Sequence, residues 1–119
     1  MLRLGSTVVG VADLARALAF WTAALDYVRR DPDDGDTFVV LVPRGGTGPA
    51  VSLMVSESPP EPRPRVHLDL YADDQAAEVE RLVALGASRV DWDSYPPDPD
   101  FVVLSDPDGN PFCVIDKSA

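Results

Sequence analysis

"FVVLSDPDGNPFCVID", residues 101–116, holds the pattern that decides the fold. Its centre, Asp106-Pro107-Asp108-Gly109-Asn110-Pro111, is a turn. Proline pre-sets φ, glycine supplies positive φ, and Asp and Asn side chains bond nearby backbone amides. Apolar runs flank it, Phe101–Leu104 before and Phe112–Asp116 after, so the stretch reads as two strands and a tight connection. The alternate acids do not make a calcium loop, because an EF-hand needs a dozen residues ending in Glu. The second strand carries the only cysteine in the chain, Cys113.

The tetrapeptide Phe-Val-Val-Leu recurs at 38–41. Around that earlier copy, Ser6–Val11 reads as a strand and Asp13 as an N-cap. Leu14, Leu18, Trp21 and Leu25 then recur at helical spacing in an alanine-rich segment. A weak strand at Tyr27–Arg30 precedes Phe38–Pro43 and Ala50–Val55, which the glycine-rich "RGGTGP" joins. That glycine-rich stretch lacks the lysine and the following helix of a phosphate loop. In the second half, Val66–Tyr71 alternates as a strand does, and Asp73 or Asp74 caps a helix with the stripe Val79, Leu82, Val83. Gly86 ends that helix, and "SRVDW" (88–92) is a short strand. The order βαβββ therefore occurs twice, with helices starting at Asp13 and Asp74, and the repeated tetrapeptide holds matching places; duplication explains both. "SESPPEPRP" (56–64) carries four prolines in nine residues and reads as an extended linker. The expected organisation is one α+β domain over 1–119, with module 1 at about 1–55, the linker at 56–64 and module 2 at about 65–119.

Aliphatic and aromatic residues make up 45% of the chain, enough for a core that buries roughly 65% of the unfolded surface. Acids outnumber bases 20 to 10, for a net charge of -10. Such a surface repels phosphate backbones, so nucleic acid is not an expected partner. The excess acid serves solubility and favours a neutral or cationic ligand over an anion. No apolar run reaches the length of a membrane span, so no membrane partner is expected. One cysteine makes no internal disulfide, and "MLRLGSTVVG" has no secretory pattern; a cytoplasmic protein is the expectation.

Strand parity sorts the faces. Val66, Leu68 and Leu70 are apolar together and belong under the helix, whereas His67, Asp69 and Tyr71 share the opposite, mixed face. Two mixed faces set side by side would line a trough, the default ligand site.

The pattern resembles the glyoxalase/bleomycin-resistance/extradiol-dioxygenase superfamily, the vicinal oxygen chelate proteins. "VADLARALAFWTAALDY" (11–27) is similar to that family's opening strand-to-helix segment, and "DPDGNPF" (106–112) to its closing turn. The second half is especially similar to the small glyoxalase-like group ending in Phe-Cys-Val. The resemblance covers essentially the whole chain. It implies two tandem βαβββ modules forming a U-shaped, partly closed sheet with helices on the outer face, and a homodimer. In active members four strands hold a divalent metal. Those positions fall here on Ser6, Leu53, His67 and Cys113, of which only His67 matches the usual ligand. No bound metal and no cofactor is therefore expected.

The resulting pocket set is Ser6, Val8, Leu53, His67, Asp69, Tyr71, Trp92, Tyr95 and Cys113. His67 reads as a metal ligand or as a pocket histidine bonding a ligand, water or carbonyl. Cys113 reads as a nucleophile with His67 as its base, or as a small buried hydrophobe. Asp69 is a pocket acid or the partner of an arginine. These three are the weak catalytic candidates. Phe20 and Trp21 read as core. Trp92 and Tyr95, in the proline-rich "WDSYPPDPD" (92–100), either cap the trough and stack on a planar ligand or pack a surface loop. Three functions fit: a metal-free protein sequestering a small, partly apolar, neutral or cationic organic molecule; a metal-dependent lyase, isomerase or dioxygenase; and a protein-interaction module.

Overall fold

The computed structural model describes residues 1–118. The chain forms two compact units that meet between Pro59 and Pro60, inside the proline-rich linker. The first contains β1 (Ser6–Val11), α1 (Leu14–Leu25), β2 (Tyr27–Arg29), β3 (Phe38–Pro43) and β4 (Ala50–Val55). The second contains β5 (Asp69–Ala72), α2 (Gln75–Leu85), β6 (Ser88–Arg89), β7 (Phe101–Ser105) and β8 (Pro111–Asp116). Each builds an open four-stranded sheet, ordered β1-β4-β3-β2 and β5-β8-β7-β6. In each the first strand runs parallel to the last and the other pairs are antiparallel. The duplication read from the sequence is thus also a duplication of topology.

Both helices start on an aspartate. The Asp13 and Asp74 carboxylates accept the amides of Arg16 and Ala77, each at 3.1 Å, satisfying orphan N–H groups of the first turn. Asp26 ends α1 in the left-handed region (φ 54°), and Gly86 ends α2 at φ 124° with its amide on the Leu82 and Val83 carbonyls. In the first unit α1 buries Ala17, Phe20 and Trp21, as expected of the two aromatics. Their rings meet edge-on at 5.0 Å. Val39, Leu41, Val51 and Leu53 form the buried side of the sheet. Each fully buried side chain of this size contributes about 1.5–3 kcal/mol. In the second unit Val79 and Leu82 of α2 are buried, as are Leu104, Phe112 and Val114 on one side of β7 and β8. The Gln75 side chain donates to the carbonyls of Val114 (2.9 Å) and Asp100 (3.0 Å), tying the start of α2 to the sheet.

Strand β5 begins at Asp69 rather than at the expected Val66, which is 79% exposed. Register explains the difference. Asp69 pairs with Cys113, so residue 67 would lie opposite Pro111, whose ring nitrogen has no hydrogen to give. The β7–β8 turn has the expected form. Gly109 has φ +88° and its amide reaches the Asp106 carbonyl at 2.9 Å. The buried Asp106 carboxylate accepts the amides of Asp108 (3.0 Å) and Asn110 (2.8 Å) and the Asn110 side-chain NH2 (3.1 Å).

Candidate functional site

The face of the second sheet away from α2 bears Asp69 and Tyr71 on β5, Cys113 and Ile115 on β8, and Phe101 and Val103 on β7. They sit together because side chains alternate and the registers place Asp69 beside Cys113, Tyr71 beside Ile115, and Phe101 beside Ile115 on its other flank. These residues line a pocket of about 580 Å3. Pro64, Trp92 and Ser94 add a wall of irregular chain, and Lys117 lies at the end of β8. That irregular wall is held by Arg63. Its guanidinium lies 4.7 Å from the Trp92 ring centroid, pairs with the Asp93 carboxylate and donates to the Ser94 hydroxyl at 3.3 Å.

His67, Asp69 and Cys113 converge at one place in this pocket. His67 Nδ1 is 3.0 Å from Asp69 Oδ1, so the expected partner of Asp69 is a histidine and not an arginine. One donor atom from each of the three lies within 4.8 Å of the others. Burial first, and then the Asp69 carboxylate, push the half-buried Cys113 thiol above its ordinary range. At neutral pH the sulfur keeps its proton, which argues against an activated nucleophile.

Four site assignments are corrected: Ser6 and Val8 lie on β1 of the first unit and do not line the second-unit pocket, and Leu53 and Tyr95 do not line it either. Leu53 is fully buried on the core side of β4, paired with Val9, while Ser52 pairs with Val8 and shares the Ser6 side. Parallel pairing of β1 and β4 sets this parity, so Ser52 and not Leu53 accompanies Ser6. Their hydroxyls are 2.6 Å apart, and Val8 on the same side is half-exposed. Tyr95 does not line the second-unit pocket. Its hydroxyl accepts the Val103 amide at 2.7 Å, and its ring packs on Phe101 at 5.2 Å. It bonds the outer edge of β7 just beyond the short β6. Trp92 does line the pocket, as do His67, Asp69, Tyr71 and Cys113. Lys117 and Phe101 were not anticipated. Continuing the parity of Cys113 and Ile115 two residues further would have found Lys117; no sequence signal marks Arg63.

The inherited metal positions do not fit a metal centre of the expected kind. Leu53 has no donor atom and faces the core, and the Ser6 hydroxyl is engaged with Ser52. Within the second unit, His67, Asp69 and Cys113 form a smaller nitrogen, oxygen and sulfur group.

A sequence profile of the glyoxalase-like domain matches residues 6–115. The chain belongs to the glyoxalase-like family. No curated protein matches its sequence. Solved structures share the glyoxalase-like fold at low identity. A glyoxalase-related enzyme from Fulvimarina pelagi superposes with a TM-score of 0.70 at 15% identity, over 97% of this chain and 88% of that one. The fosfomycin resistance protein FosX from Mesorhizobium loti gives 0.70 at 20% identity, over 97% and 91%. A member of the glyoxalase/bleomycin resistance protein/dioxygenase superfamily from Sphaerobacter thermophilus gives 0.66 at 23%, over 98% of each chain. Among the described residues no helix is long and apolar enough to cross a membrane.

Proposed function

We propose that this glyoxalase-like protein binds and sequesters a small, partly apolar organic molecule, neutral or cationic, in the pocket of its second unit, without a resident metal. The observation that carries the reading is the pocket itself. Its volume of about 580 Å3 lies within the range of small-molecule sites, roughly 300–1,000 Å3. Its walls are aromatic and aliphatic (Tyr71, Trp92, Phe101, Ile115), and a few polar groups converge at His67, Asp69 and Cys113. That division suits orientation by hydrogen bonds and affinity by apolar contact. The test is a panel of small aromatic alcohols, amines and acids titrated into labelled protein and followed by NMR. Binders should shift the side-chain signals of Trp92, Tyr71 and Ile115. A panel whose binders shift only signals outside these residues, or which yields no binder, refutes the reading.

One observation favours a second reading, a metal-dependent lyase, isomerase or dioxygenase. The His67–Asp69–Cys113 group has the three protein ligands that a catalytic zinc takes. Metal content separates the two.

A further inference from the structure

We infer that this pocket takes organic cations, and that the Lys117 ammonium is a tethered competitor for the same aromatic seat. The inference rests on the binding reading above and names its ligand class. Tyr71 is 73% exposed, yet its ring is not bare, because Lys117 Nζ lies 4.8 Å from the centroid. That is within the roughly 6 Å over which a ring quadrupole attracts a cation. Trp92, on the loop wall, likewise carries the Arg63 guanidinium at 4.7 Å. Two of the aromatic walls are therefore occupied by positive charge from the chain itself. Carboxylates border the same space: Asp69 lies two residues from Tyr71 on the same face of β5, and Asp100 also lines the pocket.

The two internal cations differ in how firmly they are held. Arg63 is also pinned by Asp93 and Ser94, so its place over Trp92 is structural. Lys117 is anchored by its backbone, whose amide donates to the Ala72 carbonyl at 2.8 Å. Its exposed four-carbon stem is free to turn. An ammonium on such a stem is a compact, strongly hydrated charge. Swinging it into water exposes the Tyr71 face with Asp69 nearby. A quaternary or alkyl ammonium bearing apolar groups is less hydrated, and aromatic faces are its usual recognition surface. Exchange of the one cation for the other leaves the charge of the pocket unchanged, so the strongly acidic chain does not oppose it.

The experiment uses the full chain and two soluble probes of equal shape, choline and its neutral carbon analogue 3,3-dimethylbutan-1-ol, titrated by NMR. Choline should bind more tightly than the alcohol and shift the Tyr71 and Trp92 rings. Lys117→Met should tighten choline about twofold to fivefold, the exposed cation–π range expressed as a binding ratio. In a Tyr71→Leu background that gain should vanish. If the alcohol binds in the pocket as tightly as choline, the cation inference falls while the binding reading stands. If Lys117→Met helps choline equally with and without the Tyr71 ring, Lys117 acts only through bulk charge and is no competitor. If the aromatic panel binds the pocket and choline does not, the ligand class is wrong; if nothing binds there, the underlying reading fails with it. Lys117 is exposed, so its replacement leaves the fold intact, as unchanged Val103 and Val114 amide signals will show.

Discussion

Replacing Asp106 by alanine tests the account of the turn that holds β7 to β8, the strands bearing Phe101, Val103, Cys113 and Ile115. Asp106 is 2% exposed, and its carboxylate accepts the amides of Asp108 and Asn110 and the Asn110 side-chain NH2. A hydrogen bond to a charged group contributes about 1.5–3 kcal/mol, and water recovers part of this at the half-buried donors, so the net loss is about 3 kcal/mol. At roughly 2.1 cal/mol/K per residue, a chain of 119 residues unfolds with about 0.25 kcal/mol/K, and the melting temperature should fall by about 12 °C. Asp106→Asn keeps an oxygen for the two backbone amides but turns an NH2 toward the Asn110 NH2. Its cost should be about half as large, by the same hydrogen-bond scale. The assay is thermal unfolding followed by circular dichroism. A fall of less than about 4 °C for the alanine variant, equivalent to roughly 1 kcal/mol, would mean that the proline and glycine geometry alone holds the turn.

Three further outcomes follow from the site. Tyr95→Phe keeps the packing on Phe101 but strips the buried Val103 amide of its acceptor. It should cost about 1–2 kcal/mol in urea unfolding and leave ligand affinity unchanged, and a loss of affinity without a loss of stability would show that Tyr95 touches ligand after all. Cys113 should react slowly with iodoacetamide in the folded protein, because its thiol value is raised. The folded state then holds that proton more tightly than the unfolded state. Its contribution to stability is complete below the ordinary thiol range and is lost as pH rises through the folded-state value. Labelling at neutral pH as fast as in denaturant would contradict this. Exposed Val8, Phe38, Met54 and Val55 leave apolar surface on the first unit for a second copy, so we expect a homodimer in sedimentation. A lone 12.8 kDa species at micromolar concentration would remove that expectation.

What could be read in advance was whatever local chemistry decides. The aspartate caps, the Gly86 stop, the 106–110 turn and the strands Ser6–Val11, Phe38–Pro43 and Ala50–Val55 all depend on residues close in sequence, and the structure has them where they were read. The site was legible only where parity carried it. Asp69 and Tyr71 share a face by alternation along β5, the β5–β8 register sets Cys113 beside Asp69, and His67 reaches Asp69 from just before the strand. Leu53 was misassigned because its orientation depends on the parallel register of β1 and β4, which periodicity within β4 does not reveal. The start of β5 depends on Pro111, more than 40 residues away. Tyr95 and Arg63 act through contacts made across irregular chain, to a β7 edge amide and to the Trp92 ring. No propensity or spacing encodes such contacts.

We propose above that the second-unit pocket holds an organic molecule and no resident metal. Native mass spectrometry of protein purified without chelators tests it most directly. The account predicts chains whose mass carries no metal, before and after addition of zinc at the protein concentration, and a one-to-one adduct when an NMR-identified binder is supplied. One metal per chain in the native protein, absent after His67→Ala, would contradict it and put the metal-dependent reading in its place.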